Sequence, residues 1–92
     1  LAEMIRKERQ RVSTALAELD FVDRVYPSHA NFLLFRLGRD ARTVAAALSE
    51  AGVRIRDVSG LPGLDGHLRV TLGTREDNDA FLAALQQAGS SA

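Results

Sequence analysis

The sequence predicts a two-layer α/β domain: a mainly antiparallel or mixed four-strand sheet with helices on one face, in the order α-β-β-α-β-β-α. Three observations lead there. Apolar residues recur at helical spacing in three separate segments, short apolar or alternating runs lie between them, and Gly, Pro, Asn and Asp punctuate the joins. At 92 residues the chain has room for one domain with a single modest core.

The first helix is expected over residues 1–19, where Leu1, Ile5, Val12, Leu16 and Leu19 drift along one stripe with Lys7, Arg9 and Glu18 off it. Its first half is the more polar, so the second half is expected to pack on this domain. Residues 21–27 alternate weakly and end at Pro27, which suits a short or edge strand. After the Ser28-His29-Ala30 turn, residues 31–37 form the most strand-like run, with Leu33, Phe35 and Leu37 on one face and Phe32, Leu34 and Arg36 on the other. Both faces are largely apolar, so the second is expected to meet another protein layer.

Asp40 is a candidate N-cap for the second helix, Val44, Ala45 and Leu48 its inward face, and Gly52 its stop. Residues 53–57 and 67–72 then read as strands. Their alternation puts Val53, Ile55, Leu68, Val70 and Leu72 on the core side and Arg54, Arg56, His67, Arg69 and Thr71 on the other. The third helix opens at Thr74 with a capping-box pattern and acidic residues in its first turn. Phe81, Leu82 and Leu85 form its stripe, and Gly89-Ser90-Ser91 reads as a frayed tail.

Composition narrows the function classes. Twelve basic residues balance twelve acidic ones, so a general attraction to nucleic acid or to an anionic membrane is not indicated. Without cysteine there is no disulfide framework and no thiolate metal site. No apolar run approaches the ~20 residues of a membrane span, and the expectation is a soluble cytoplasmic protein. The chain starts at Leu1 inside a helical pattern, as expected of a piece of a longer protein. Eleven of the twelve basic residues are arginine, whose planar fork suits carboxylate and phosphate.

Residues 53–74, VRIRDVSGLPGLDGHLRVTLGT, concentrate that chemistry. Arg56 and Arg69 sit on two runs joined by a Gly/Pro loop, so folding can bring two guanidinium groups together. Such a pair is often only a solvated sheet face, or is neutralised by acids such as Asp57 and Asp65. Anion binding requires the face to be covered, because an exposed guanidinium gains little from one anion. The loop over residues 59–66 lacks the glycine spacing and following helix of a nucleotide cradle and reads as a shaped turn. His29 and His67 have no ligand partners at metal spacing, and His67 is expected at the surface or supporting a neighbour. Ser13, Ser28 and Ser59 read as caps and turns. An RNA-binding sheet would expose stacking aromatics among basic residues, a pattern not found here.

The segments PSHANFLLFRL (27–37), GVRIRDVSGLPGLDGHLRVTLGT (52–74) and REDNDAFLAAL (75–85) resemble the C-terminal small domain of histidinol-phosphate aminotransferase, a fold-type-I enzyme that uses pyridoxal 5'-phosphate. The I-R-D run followed by L-R-V-T-L-G-T carries the most specific part of the likeness. The resemblance implies that Arg69 grips the acidic group of the substrate and that Arg56 helps to hold the phosphate of histidinol phosphate. It implies no catalytic, cofactor-binding or metal-binding residue in this chain: the lysine that holds the cofactor, the partner of its pyridine nitrogen and its main phosphate cup belong to a large domain upstream. Lys7 matches none of these and reads as solvated. The implied parent is a cytoplasmic homodimer that passes an amino group between L-histidinol phosphate and 2-oxoglutarate or glutamate in histidine biosynthesis. This chain alone would be inactive. Two alternatives stay open: a related enzyme such as a threonine-phosphate decarboxylase or an aromatic aminotransferase, and a ligand-binding or interaction module with no catalytic parent.

Overall fold

The computed structural model describes residues 1–38 and 40–91. The order is α1 (Ala2–Ala17), β1 (Val22–Val25), β2 (Phe32–Leu37), α2 (Ala41–Glu50), β3 (Ile55–Asp57), β4 (His67–Thr71) and α3 (Arg75–Ser91), as the patterning predicts. All neighbouring strands run antiparallel, in the spatial order β1-β2-β4-β3. The chain thus adds β3 at the far edge before returning to fill the gap with β4.

One face of the sheet carries the core. Leu33, Phe35 and Leu37 of β2 and Leu68 and Val70 of β4 are buried with Val12 and Leu16 of α1, Val44 and Leu48 of α2, and Phe81 and Leu85 of α3. Phe35 and Phe81 meet with ring centroids 6.0 Å apart and planes tilted by 58°, inside the range aromatic pairs favour. Each such side chain contributes roughly 1.5–3 kcal/mol through burial. The N-terminal half of α1 extends beyond this core, leaving Leu1 and Ile5 exposed, while Val12 and Leu16 alone of its stripe are fully buried.

Local signals set most boundaries. The Asp40 carboxylate accepts from the backbone N–H groups of Arg42 and Thr43 and from the Thr43 hydroxyl, which holds its pKa below the ordinary value. Gly52, with φ of +85°, turns the chain out of α2. At α3 the capping box is reciprocal: Asp77 N–H donates to the Thr74 hydroxyl at 3.1 Å, and Thr74 N–H donates to the Asp77 carboxylate at 3.1 Å.

Several boundaries differ from the sequence expectation. β1 is shorter than residues 21–27, with an irregularity between Val22 and Arg24. β3 begins at Ile55, leaving Arg54 outside the strand, although the Arg54 carbonyl still accepts from Thr71 N–H at 3.0 Å. The largest correction is at the C-terminus, where α3 continues through Gly89 to Ser91 instead of fraying. Gly89 is buried against the ring of Phe21, and a Cβ there would collide with that ring. The missing side chain is what lets the last helical turns lie on the start of β1. Gly89→Ala is therefore expected to lower the urea midpoint by about 1–3 kcal/mol of stability, despite alanine's better helix propensity.

A polar network joins α1 to α3. Arg11 binds Glu8 in bidentate fashion at 2.7 and 2.8 Å and reaches Asp79 at 2.9 Å. Asn78, 2% exposed, donates to Glu8 at 2.9 Å and accepts from Gly73 N–H at 2.9 Å. The Arg11 hydrogen bond, followed by that of Asn78, lowers the Glu8 pKa from 4.5 to about 2. A carboxylate depressed on folding stabilises fully above its unfolded pKa and less as pH falls towards its folded one. Unfolding measured by urea should accordingly lose stability between about pH 4.5 and 2, and Glu8→Gln should flatten that limb. An unchanged slope in the variant would contradict the assignment.

Candidate anion-binding site

The opposite face of the sheet carries no helix of the described residues. On it, alternation in β2 presents Phe32, Leu34 and Arg36, and alternation in β4 presents His67, Arg69 and Thr71. β3 adds Arg56, and Arg24 of β1 stands opposite Arg36. The two arginines singled out from sequence are direct register partners: Arg56 pairs with Arg69 across β3 and β4. Residues so placed have Cβ atoms roughly 4.5–5.5 Å apart.

The two differ in environment. Arg56 is exposed on a three-residue edge strand. Arg69 is half-buried on a strand paired on both sides, with its guanidinium carbon 4.9 Å from the centroid of the Phe32 ring. Its Nε is buried and has no hydrogen-bond acceptor. Neither arginine forms an ion pair among the described residues, so the neutralisation by Asp57 or Asp65 weighed from sequence is not found. Asp57 instead accepts from Ser59 N–H at 2.9 Å, closing the turn after β3. Asp65 contributes its backbone carbonyl, at 2.9 Å, to His67 Nδ1.

Of the two places the sequence allowed His67, at the surface or beside a neighbour it supports, the structure shows the second. His67 is 5% exposed, although it lies on the helix-free face. A carbonyl only accepts, so Nδ1 carries the proton and donates to Asp65; in the neutral ring Nε2 then accepts from the Tyr26 hydroxyl at 2.8 Å. Tyr26 follows β1, pairs with Leu34 through its backbone N–H, and lies beneath the Arg24 guanidinium, 4.4 Å from ring centroid to carbon. Tyr26 thus spans from the β1 edge to β4 and covers His67. No local signal marks this contact, which links residues distant in sequence.

The remaining sequence candidates lie elsewhere. Ser28 Oγ donates to the Phe32 carbonyl at 2.8 Å and accepts from Ala30 N–H at 3.2 Å, as a turn residue should. His29 and Ser13 line a groove of about 300 Å³ between α1 and the β1–β2 turn, with Arg6 and Arg9. The loop over residues 59–66 ends at Gly66, where φ is +78° and a Cβ would stand 3.3 Å from the Leu37 carbonyl. Lys7 is exposed on α1. No helix is long and apolar enough to cross a membrane among the described residues.

No family model matches the chain. Histidinol-phosphate aminotransferase of Xanthomonas oryzae pv. oryzae is 51% identical over 83 residues, covering 90% of this chain and 23% of the relative. The crystal structure of histidinol-phosphate aminotransferase from Clostridium acetobutylicum superposes with a TM-score of 0.85 at 31% identity, over 96% of this chain and 27% of that one. This chain is similar in sequence and fold to a segment of histidinol-phosphate aminotransferase. The relative of that name from Xylella fastidiosa is 50% identical over 82 residues, covering 89% of this chain and 22% of its own length. The chain therefore spans less than a quarter of the length of these curated histidinol-phosphate aminotransferases. L-threonine-O-3-phosphate decarboxylase from Porphyromonas gingivalis is also similar, with a TM-score of 0.80 and 33% identity over 92% of this chain and 27% of that one.

The Tyr26–His67 contact generates a test independent of any activity. Tyr26→Phe removes the hydroxyl that meets His67 Nε2 and should cost about 1–2 kcal/mol in chemical denaturation. A fully neutral substitution would mean that the hydrogen bond contributes nothing net.

Proposed function

We propose that this chain is the C-terminal small domain of a fold-type-I histidinol-phosphate aminotransferase and that its helix-free sheet face, covered by the rest of the parent, supplies the grip on the substrate's acidic group. The observation that carries the proposal is the register pairing of Arg56 with Arg69 on the helix-free face. Two arginines in register on one face, unpaired by any described carboxylate, suit a phosphate dianion or a carboxylate. In this reading Arg69 takes the carboxylate of glutamate or the phosphate of L-histidinol phosphate in turn, and Arg56 adds charge for the phosphate. Holding an anion remote from the reacting amine orients that amine without the domain performing chemistry.

Pyridoxal 5'-phosphate, when bound to the parent, supplies the amino-carrying chemistry. In this reading the site lies outside this chain, whose sole lysine, Lys7, is exposed on α1. The cofactor accordingly belongs to the rest of a cytoplasmic, homodimeric parent acting in histidine biosynthesis, and the isolated chain is expected to be inactive. The similarity to L-threonine-O-3-phosphate decarboxylase favours one second reading, a decarboxylase for a phosphorylated amino acid, because the same anion grip serves both. Release of carbon dioxide by the full-length protein would decide for the decarboxylase.

In the full-length protein, Arg69→Ala is expected to raise KM for both histidinol phosphate and glutamate by about 10- to 100-fold, the range of one or two charge-assisted hydrogen bonds. Arg56→Ala should raise KM for histidinol phosphate by about tenfold and for glutamate by less. Unchanged KM in the Arg69 variant would refute the grip, and equal losses in the Arg56 variant would refute its selectivity for phosphate.

A further inference from the structure

We infer that Phe32 is a positioning residue for the anion grip, its ring serving as the platform that sets the direction of the Arg69 guanidinium. The inference rests on the reading of Arg69 given above and extends it to a residue that reading does not use. Phe32 is 36% exposed on the helix-free face and takes no part in the core. It pairs with Thr71, while Leu34 pairs with Arg69; Phe32 and Arg69 are therefore diagonal neighbours on one face, within reach of an aromatic and a long side chain. The guanidinium carbon lies 4.9 Å from the ring centroid, inside the ~6 Å reach of a cation–π contact.

The chemistry of that contact matters more than its strength. A carboxylate in Phe32's place would also orient the guanidinium, but it would occupy the fork and cancel the charge that an incoming anion needs. A ring face attracts the cation without supplying a counter-charge, so the charge that an incoming anion needs is not cancelled. Arg69 is thus held in one direction without a counter-charge. The backbone that carries the platform is itself fixed. Ser28 Oγ donates to the Phe32 carbonyl at 2.8 Å, and the preceding Asn31 carbonyl accepts from Leu72 N–H at 2.8 Å.

The test uses the full-length, cofactor-loaded protein. Phe32→Leu keeps an apolar side chain but removes the π face. It should raise KM for histidinol phosphate and glutamate about three- to tenfold, the range a cation–π contact commands, with kcat changed less than about twofold. Phe32→Tyr, which keeps the ring, should restore wild-type KM. In an Arg69→Ala background, Phe32→Leu should change KM no further, because a residue that acts through Arg69 has nothing left to position. Phe32→Met serves the same comparison if the leucine variant does not fold. Wild-type KM in Phe32→Leu, or an equal loss with and without Arg69, overturns the role of Phe32 and leaves the arginine grip standing. Unchanged KM in Arg69→Ala alone overturns the grip itself, and this inference with it.

Discussion

Strand β4 is hydrogen-bonded along both edges, to β2 from Phe32↔Thr71 through Arg36↔His67 and to β3 from Ile55↔Val70 through Asp57↔Leu68. That double pairing governs where every other side chain of the sheet can go. Leu68 and Val70, at 0% and 1% exposure, must face the helices, and with period-two alternation His67, Arg69 and Thr71 must then face away. A slip of one residue would send the arginine into the core and two aliphatic side chains out of it. The apolar demand of the core therefore aims the polar residues of the open face, and the register with β3 sets Arg56 beside Arg69.

The helical layer keeps this strand in place from its far end. Gly73, just beyond β4, donates its N–H to Asn78 and accepts from the same amide at 3.3 Å, so the first turn of α3 is tied to the strand it follows. Asn78 also reaches Glu8 on α1, which is held by Arg11. The N-terminal helix, the C-terminal helix and the exit of the central strand thus share one polar junction. Buried polar groups are costly unless satisfied, and here each amide group of Asn78 has a partner.

Signals carried by a few adjacent residues were legible in the sequence. Asp40, Gly52 and Thr74 mark helix ends through capping chemistry that needs no tertiary context, and the alternation in residues 67–72 separates core from open face. Arg56 and Arg69 could be named as candidates for the same reason. Their direct opposition could not, because it depends on pairing across the whole loop between β3 and β4. Strand order is similarly non-local, since β4 enters between β2 and β3. The burial of His67 needs Tyr26 from the other edge, and the continuation of α3 through Gly89 needs the Phe21 ring. Glycine and serine at a helix end resemble a frayed tail in one dimension and a close approach in three.

Two cross-strand pairs on the open face, Arg24 with Arg36 and Arg56 with Arg69, set like charges opposite one another, an arrangement that disfavours strand pairing. Asp23 offsets the first only loosely, at 3.7 Å from Arg36. A chain whose formal charge sums to zero therefore carries concentrated repulsion on one surface of its sheet. An anion seated there would relieve the repulsion and raise the unfolding free energy of the sheet by mass action. Ligand occupancy and the stability of the domain would then be linked quantities, joined through the edge strand that bears Arg56.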